Sequence, residues 1–353
     1  LIKQEAGIIS ISAAIRNADY LYISVKTYVF PDIISNFIIT HPEYIRCLFI
    51  GFMDHYKITV IGSCNTDMVV KSKRLPAPGE TLLGGKFFMN QGGKGANQAV
   101  AAARLGGNVC FIAKTGNDIF GRQTIKLLED EGLSKDFIIT DQENPSGVAL
   151  IMVDEQAENC ILVAPGANSN LSPDDLEIFR SEISNAEITL LQLEIPMYTV
   201  LWTAQLCFSL GKKVVLNPAP ACEIPAELYS LLYLITPNET EAEMLTGIKV
   251  QDPDSAEEAA KRLRDRGVQN TIITLGSRGA FLYSDREKGL ILAPKVRAID
   301  TTAAGDVFNG ALCVALSEGS GLRKAVEIAN RAASIAVTRM GAQASAPYRK
   351  ELG

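Results

Sequence analysis

Short apolar runs recur along most of the chain, with segments of helical spacing between them. KITVIG (57–62), NVCFIAKTG (108–116), ITLLQLEI (188–195), KVVLNP (213–218), LYLITP (232–237) and TIITLG (271–276) are mostly apolar and are punctuated by Gly, Pro or polar residues. They read as short strands. GAFLYSD (279–285) and GLILAP (289–294) continue the series. Helices are expected at 98–105, 120–131, up to Gly211, from Glu239, at 256–266, and at about 307–318 and 323–339. SPDDLE (172–177) is a helix start, with Ser172 as cap, Pro173 at the first position and acids in the first turn. Strands and helices alternating at this spacing predict an α/β fold, with a mostly parallel sheet covered on both faces.

Two stretches break the alternation. Residues 68–90 (MVVKSK, LPAPGE, TLLGGKFFMN) and 145–165 (GVALIMVD, NCILVAP) are β-rich and turn-punctuated, and read as two halves of a small sheet or flap. Residues 1–52 are rich in Ile, Tyr and Phe without a clear period. The expectation is an extension outside the fold, with Met53 as the natural start; a partner-binding arm is the alternative. Asp32, Glu43 and Arg46 interrupt it, so no run of about 18 apolar residues could span a membrane. It also lacks the basic start and cleavage site of a signal peptide.

Composition narrows the chemistry. With 353 residues, nearly half of them apolar, the chain can bury a large core. A net charge of -6 without a basic cluster argues against a nucleic-acid partner. Seven scattered cysteines (Cys47, Cys64, Cys110, Cys160, Cys207, Cys222, Cys313) form no C-x-x-C, which fits a reducing cytoplasm rather than zinc or disulfides. The two histidines, His41 and His55, both precede the first strand of the body. A Ser–His–Asp triad or a His-ligated metal is therefore excluded there. No G-x-x-x-x-G-K-[ST] occurs, and no G-x-G-x-x-G follows the first strand, so neither a P-loop nor a nicotinamide site is expected.

The candidate chemistry centres on DTTAAGDVFNG (300–310). Small residues Ala303, Ala304 and Gly305 run into Asp306 and an apolar helix. First-turn N–H groups and the helix dipole suit a phosphate or developing anion, and Asp306 beside them could take a proton from a hydroxyl. Asp306 is equally what a plain helix cap uses. GGKGAN (92–97) offers close backbone approach at its glycines and donors at Lys94 and Asn97; it is also a plausible packing turn. In GSCNTD (62–67), Asn65 and Asp67 could grip a diol from one side of a strand, or form a simple polar turn. In TPNETEAE (236–243), Asn238 and Glu241 match a capping box and could also organise Mg²⁺ waters. TLGSRG (274–279) suits nucleotide contact or a plain turn, and Glu194 is a strand-end ligand or merely solvent-facing.

Taken together and in order, GSCNTD, NQGGKGANQA, QLEIP, TPNETEAE, ITLGSRGA, DTTAAGDVFNGAL and VTRMGAQASAP resemble the ribokinase-like carbohydrate kinases over roughly 57–348. The resemblance implies a three-layer, doubly wound domain at 53–348 with a β lid from about 65–90 and 144–165, then a tail at 349–353. It implies ATP-dependent phosphorylation of D-ribose at O5, with Asp306 as base and an anion hole at Ala303, Ala304 and Gly305. Position by position, Asn65, Asp67, Gly93, Lys94, Asn97 and Glu194 resemble sugar ligands. Asn238, Thr274, Gly276, Ser277, Gly279, Gly305 and Asn330 resemble ATP contacts. Asp300, Thr302, Ala336, Arg339, Gly341 and Ser345 match a monovalent-cation loop for K⁺, several through main-chain carbonyls, and Glu241 would act on Mg²⁺ indirectly. A cytoplasmic homodimer joined through the lid is implied as well. Related acceptors (2-deoxyribose, fructose, adenosine) and a non-catalytic sugar sensor are the alternatives.

Overall fold

The computed structural model describes residues 2–6, 9–17, 20–27, 34–39, 56–156 and 158–353. The chain divides into two compact units between His55 and Tyr56. In the first, β1 (Ile2–Ala6), β2 (Ile9–Asn17), β3 (Tyr20–Thr27) and β4 (Ile34–Ile39) form an antiparallel sheet in sequence order. The sequence reading had seen no period here. The alternation of Ile9, Ile11, Ala13 and Ile15 with Ser10 and Ser12 is the strand signal it passed over. Met53, His41, His55 and Cys47 lie outside the described residues.

The second unit begins with β5 (Ile58–Ile61) and the lid strands β6 (Asn65–Lys71) and β7 (Lys86–Gly92). Then come α1 (Lys94–Arg104), β8 (Val109–Gly116), α2 (Ile119–Asp130) and β9 (Ile138–Asp141). The lid returns as β10 (Gly147–Val153) and β11 (Asn159–Ala164). Next are α3 (Pro173–Glu177), α4 (Arg180–Asn185), β12 (Ile188–Leu191), α5 (Met197–Ser209), β13 (Lys213–Leu216), α6 (Ala226–Tyr229) and β14 (Leu234–Ile235). The rest is α7 (Glu239–Thr246), α8 (Pro253–Asp265), β15 (Asn270–Thr274), β16 (Ala280–Tyr283), β17 (Lys288–Ile291), α9 (Ala304–Ser317) and α10 (Leu322–Ala336).

Nine strands make the main sheet in the order β17-β16-β15-β14-β13-β12-β5-β8-β9. Pairing is parallel except where β15, β16 and β17 meet. Alternate strand residues feed two cores. Ile58, Val60, Leu190 and Val215 face α1, α9 and α10. Ile61, Leu191, Val214 and Leu216 face α5 and its neighbours. This is the expected three-layer arrangement, and period 2 in short strands makes it possible. From β5 the chain first adds β8 and β9 on one side, then β12 to β15 on the other. That reversal makes the carboxyl ends of β5 and β12 the crevice where such sheets take ligands.

The lid is a four-stranded sheet in the order β11-β10-β6-β7, with β6 and β10 parallel and the outer pairs antiparallel. Its strands lie at 65–71, 86–92, 147–153 and 159–164. Residues 349–353, expected as a tail, belong to the compact unit: Leu352 is buried and Arg349 pairs with Glu318. Helices α1 and α9 start earlier than expected, at Lys94 and Ala304. Their glycine-rich and small-residue leads are the first helical turns themselves. At Gly310 a Cβ would stand 2.7 Å from the Gln98 carbonyl oxygen, so α1 and α9 touch backbone to backbone there.

Candidate active site

The crevice brings together the ends of β5, β12, β13 and β14 with the first turns of α1 and α9. Asn65 and Asp67 lie two apart on β6 and so share a face. Asn168 donates its amide to Asn65 Oδ1 at 2.8 Å and fixes it. Gly93, the N-cap of α1, has φ 88°, and a Cβ on it would meet the Asn65 nitrogen at 2.8 Å; only glycine suits that turn. Glu194, in the turn after β12, accepts from Ser63 Oγ at 2.5 Å and from the Lys94 N–H at 3.0 Å.

Asp306 sits in the first turn of α9, 6% exposed. Its Oδ2 accepts from Asn97 Nδ2 and its Oδ1 from Gln98 Nε2, both at 2.9 Å. Burial raises its pKa; Lys94, Asn97 and Gln98 pull it back, and Glu194 adds to the rise. Asp67 is pushed up to about 7 by burial, then by the charges of Glu194 and Asp306, with Lys94 opposing. Burial of Lys94 works against its ammonium, yet Asp306, Glu194, Glu241 and Asp67 outweigh it and hold the pKa above the usual lysine value. Of the six residues expected on the sugar side, Asn97 bonds Asp306 directly, and Lys94, Glu194 and Asp67 act on or with its charge.

Ala303, which caps α9, has φ 58°, a left-handed backbone rare for alanine. The strain sits where the helix N-terminus is aimed. Of the N–H groups expected to form an anion hole, that of Ala304 already donates to the Thr301 carbonyl at 3.2 Å. Gly305 and Asp306 retain the first-turn N–H groups that a helix leaves for an anion.

Beyond Gly305 opens a cavity of about 750 Å³. All seven residues expected at the nucleotide line it: Asn238, Thr274, Gly276, Ser277, Gly279, Gly305 and Asn330. Phe308, Val296, Ala333 and Val337 give it an apolar wall. Asn330 Nδ2 donates to the Ile291 carbonyl at 3.0 Å. Asn238 and Glu241 do form a capping box on α7, with bonds of 2.8 and 2.9 Å. Burial raises the Glu241 pKa, against the Asn238 N–H and Lys94.

The two segments of the expected cation loop meet. Asp300 accepts from the Thr302 N–H and the Gly341 N–H, each at 2.9 Å, and Asp300 N donates to the Val337 carbonyl. Ser345 is buried near them in sequence, and the Ala336 carbonyl accepts from Arg339 N. The Arg339 guanidinium is turned away to Glu351, which leaves only oxygens as candidate ligands. A carboxylate with carbonyls is a donor set that fits a hard cation. Among the described residues no group of three or more His, Cys, Asp or Glu could hold a metal by itself. None of their helices is long and apolar enough to cross a membrane.

Sequence reasoning passed over Ser63, Gln98, Asn168, Gln192 and Asn217. Gln98 directly follows GGKGAN and Asn217 ends a strand, so position in the motif order was the available signal.

A buried carboxylate, a helix N-terminus, a cluster of polar side chains and an adjoining cavity fit a phosphotransferase acting on a hydroxyl. The pfkB family carbohydrate kinase model matches residues 56–349. The chain belongs to the pfkB family of carbohydrate kinases. It is 45% identical to the ribokinase of Haemophilus influenzae over 83% of this chain and 96% of that one. It is 37% identical to the deoxyribokinase of Salmonella typhi over 82% of this chain and 95% of that one. A solved structure of Arabidopsis thaliana ribokinase, complexed with ribose and ATP, matches at a TM-score of 0.78 and 33% identity, covering 84% and 97% of the two chains.

Proposed function

We propose that the chain transfers the γ-phosphoryl group of ATP to O5 of D-ribose, giving D-ribose 5-phosphate and ADP. One observation carries the reading: the buried Asp306 carboxylate, held by Asn97 and Gln98, directly follows Gly305, which lines the cavity. The relatives named ribokinase, and the relative complexed with ribose and ATP, support these substrates. Similarity to a deoxyribokinase favours 2-deoxyribose as the second reading.

In this reading Asn65, Asp67, Lys94, Asn97 and Glu194 hold the sugar. Asn238, Thr274, Gly276, Ser277, Gly279 and Asn330 hold the nucleotide. The lid shields the site from water, which limits wasteful ATP hydrolysis. Asp306 accepts the O5 proton as that oxygen attacks phosphorus in line. The N–H groups of Gly305 and Asp306, with Lys94, stabilise charge on the transferring group, since this chemistry depends mostly on positioning and electrostatics. Mg²⁺ bound with the nucleotide would neutralise phosphate charge, and Glu241 is the residue that would orient it. K⁺ would be held by Asp300, Thr302, Ala336, Arg339, Gly341 and Ser345, several of them through main-chain carbonyls, stiffening the turn before α9.

The lid strands expose Phe87, Leu150, Ile161 and Leu162, which supports a homodimer joined through the lid. Free thiols at six described cysteines suit a reducing cytoplasm. The test is ADP release with ribose, 2-deoxyribose, fructose and adenosine, with Mg²⁺, with and without K⁺. Turnover strongest on ribose supports the proposal. Turnover strongest on another acceptor overturns the ribose assignment and keeps the kinase, while sugar binding without turnover on any acceptor turns the reading to a sensor.

A further inference from the structure

Behind the pocket lies a chain of buried amides that the reaction does not touch. Gln98 Nε2 donates to Asp306 Oδ1 and to Asn217 Oδ1, each at 2.9 Å. Gln98 Oε1 accepts from Gln192 Nε2 at 2.6 Å. Gln98 and Gln192 are both 0% exposed. Turning the Gln98 amide over would set its oxygen against the Asp306 carboxylate and against Asn217 Oδ1, and its nitrogen against Gln192 Nε2. All three bonds would be lost, so one orientation is fixed.

Gln192 is itself pinned. Its Oε1 is buried without a hydrogen-bond partner, and a Cβ on Gly62 would stand 2.0 Å from it. An orphaned buried acceptor is costly, and here it accompanies an amide that points its donor at Gln98. The chain also runs on to the other half of the site. Asn217 Nδ2 donates to the Thr236 carbonyl at 3.3 Å, Thr236 Oγ1 to Asn309 Oδ1 at 2.6 Å, and Asn309 Nδ2 to the Gly305 carbonyl at 2.8 Å.

We infer that Gln98 is a positioning residue for phosphoryl transfer: its amide, held in one orientation by Gln192 and Asn217, sets the Asp306 carboxylate in place. This rests on the reading of Asp306 as base. Donation from Gln98 also favours the ionised carboxylate, in the direction already given for Asp306. The other charged groups facing Asp306 are Lys94 on α1, Glu194 after β12, Asp67 on β6 and Glu241 on α7. They are common to parent and variants.

The experiment is the pH dependence of single-turnover phosphoryl transfer in the parent, Gln98→Met, Gln192→Met and Asp306→Asn. Gln98→Met removes the donor while keeping an unbranched side chain; the acid limb is expected to move up by about one pH unit. Gln192→Met leaves the donor but removes one of the three bonds that fix the amide, so a smaller shift in the same direction is expected. KM for sugar and for ATP should stay within about twofold, since neither glutamine is placed against substrate. An unmoved acid limb in either folded variant, with only a uniform loss of rate, overturns the inference; if Gln98→Met does not fold, Gln192→Met decides. Near-normal transfer in Asp306→Asn would instead remove the base itself.

Discussion

Asn97 donates its side-chain amide to Asp306 Oδ2 at 2.9 Å, tying the first turn of α1 to the first turn of α9. One residue expected at the sugar and one expected at the phosphate are therefore a single hydrogen-bonded unit. Replacing Asp306 by Asn keeps size but removes the basic oxygen and turns an N–H toward one of its two donors. Turnover is expected to fall by about 10²-fold or more while sugar and ATP still bind. Steady-state kinetics beside calorimetric titration separates the two, and near-normal turnover would exclude Asp306 as base.

The rate should depend on pH through the same group. A base must be ionised to accept a proton, and burial raises the Asp306 pKa above the usual carboxylate value. Activity is thus expected to be lost, as pH falls, earlier than an exposed aspartate would give. A kcat profile flat down to pH about 4 would contradict this.

Asp67 gives a stability prediction of definite sign. Its folded pKa is about 7, above its unfolded value, so between about pH 4 and 7 the folded state binds the extra proton. Stability from this group is full below that window and is lost as pH rises through it. Asp67→Asn should therefore stabilise the ligand-free protein at pH 8 by on the order of 1 kcal/mol, and by nearly nothing at pH 4. Urea unfolding at both pH values checks it; an equal effect at the two would refute the cause.

Gly310 marks where α9 meets α1. A methyl there would press on the Gln98 carbonyl oxygen at 2.7 Å and on Ala101 Cβ at 2.9 Å. Gly310→Ala is expected to cost about 1–3 kcal/mol and to lower turnover by parting Asn97 and Gln98 from Asp306. Unchanged melting and unchanged kcat would show that the helices can separate without consequence.

The proposed cation loop can be tested without touching the polar cluster at Asp306. Asp300→Ala removes the carboxylate that links Thr302 and Gly341. Stimulation of turnover by K⁺ over choline is expected to disappear, with the residual rate near that of the parent in choline. Retained stimulation would move the cation elsewhere.

The strand–helix alternation and the lid could be read directly because short apolar runs and turn residues report local conformation. Period 2 was also present in Ile9–Ile15, but apolar residues in neighbouring positions obscured it. The starts of α1 and α9 were misjudged by a few residues for a definite reason. Glycine and small residues weaken an isolated helix, yet close packing against Gly62 and the strained Ala303 cap makes them the first turn here.

The sequence by itself determined the order of elements from Lys57 onward, the lack of histidine in that body, and Asp306, Lys94, Asn97 and Glu194 as candidates for the chemistry. Only the tertiary structure decided which partners each has. Gln98, Gln192 and Asn217 lie on a helix, a turn and a strand end far apart in the chain, and nothing in their local sequence marks them as linked. The reversal of strand order at β5 brings them together. Burial there makes each unsatisfied polar group costly, so the Asn97 and Gln98 amides are directed at the carboxylate of Asp306.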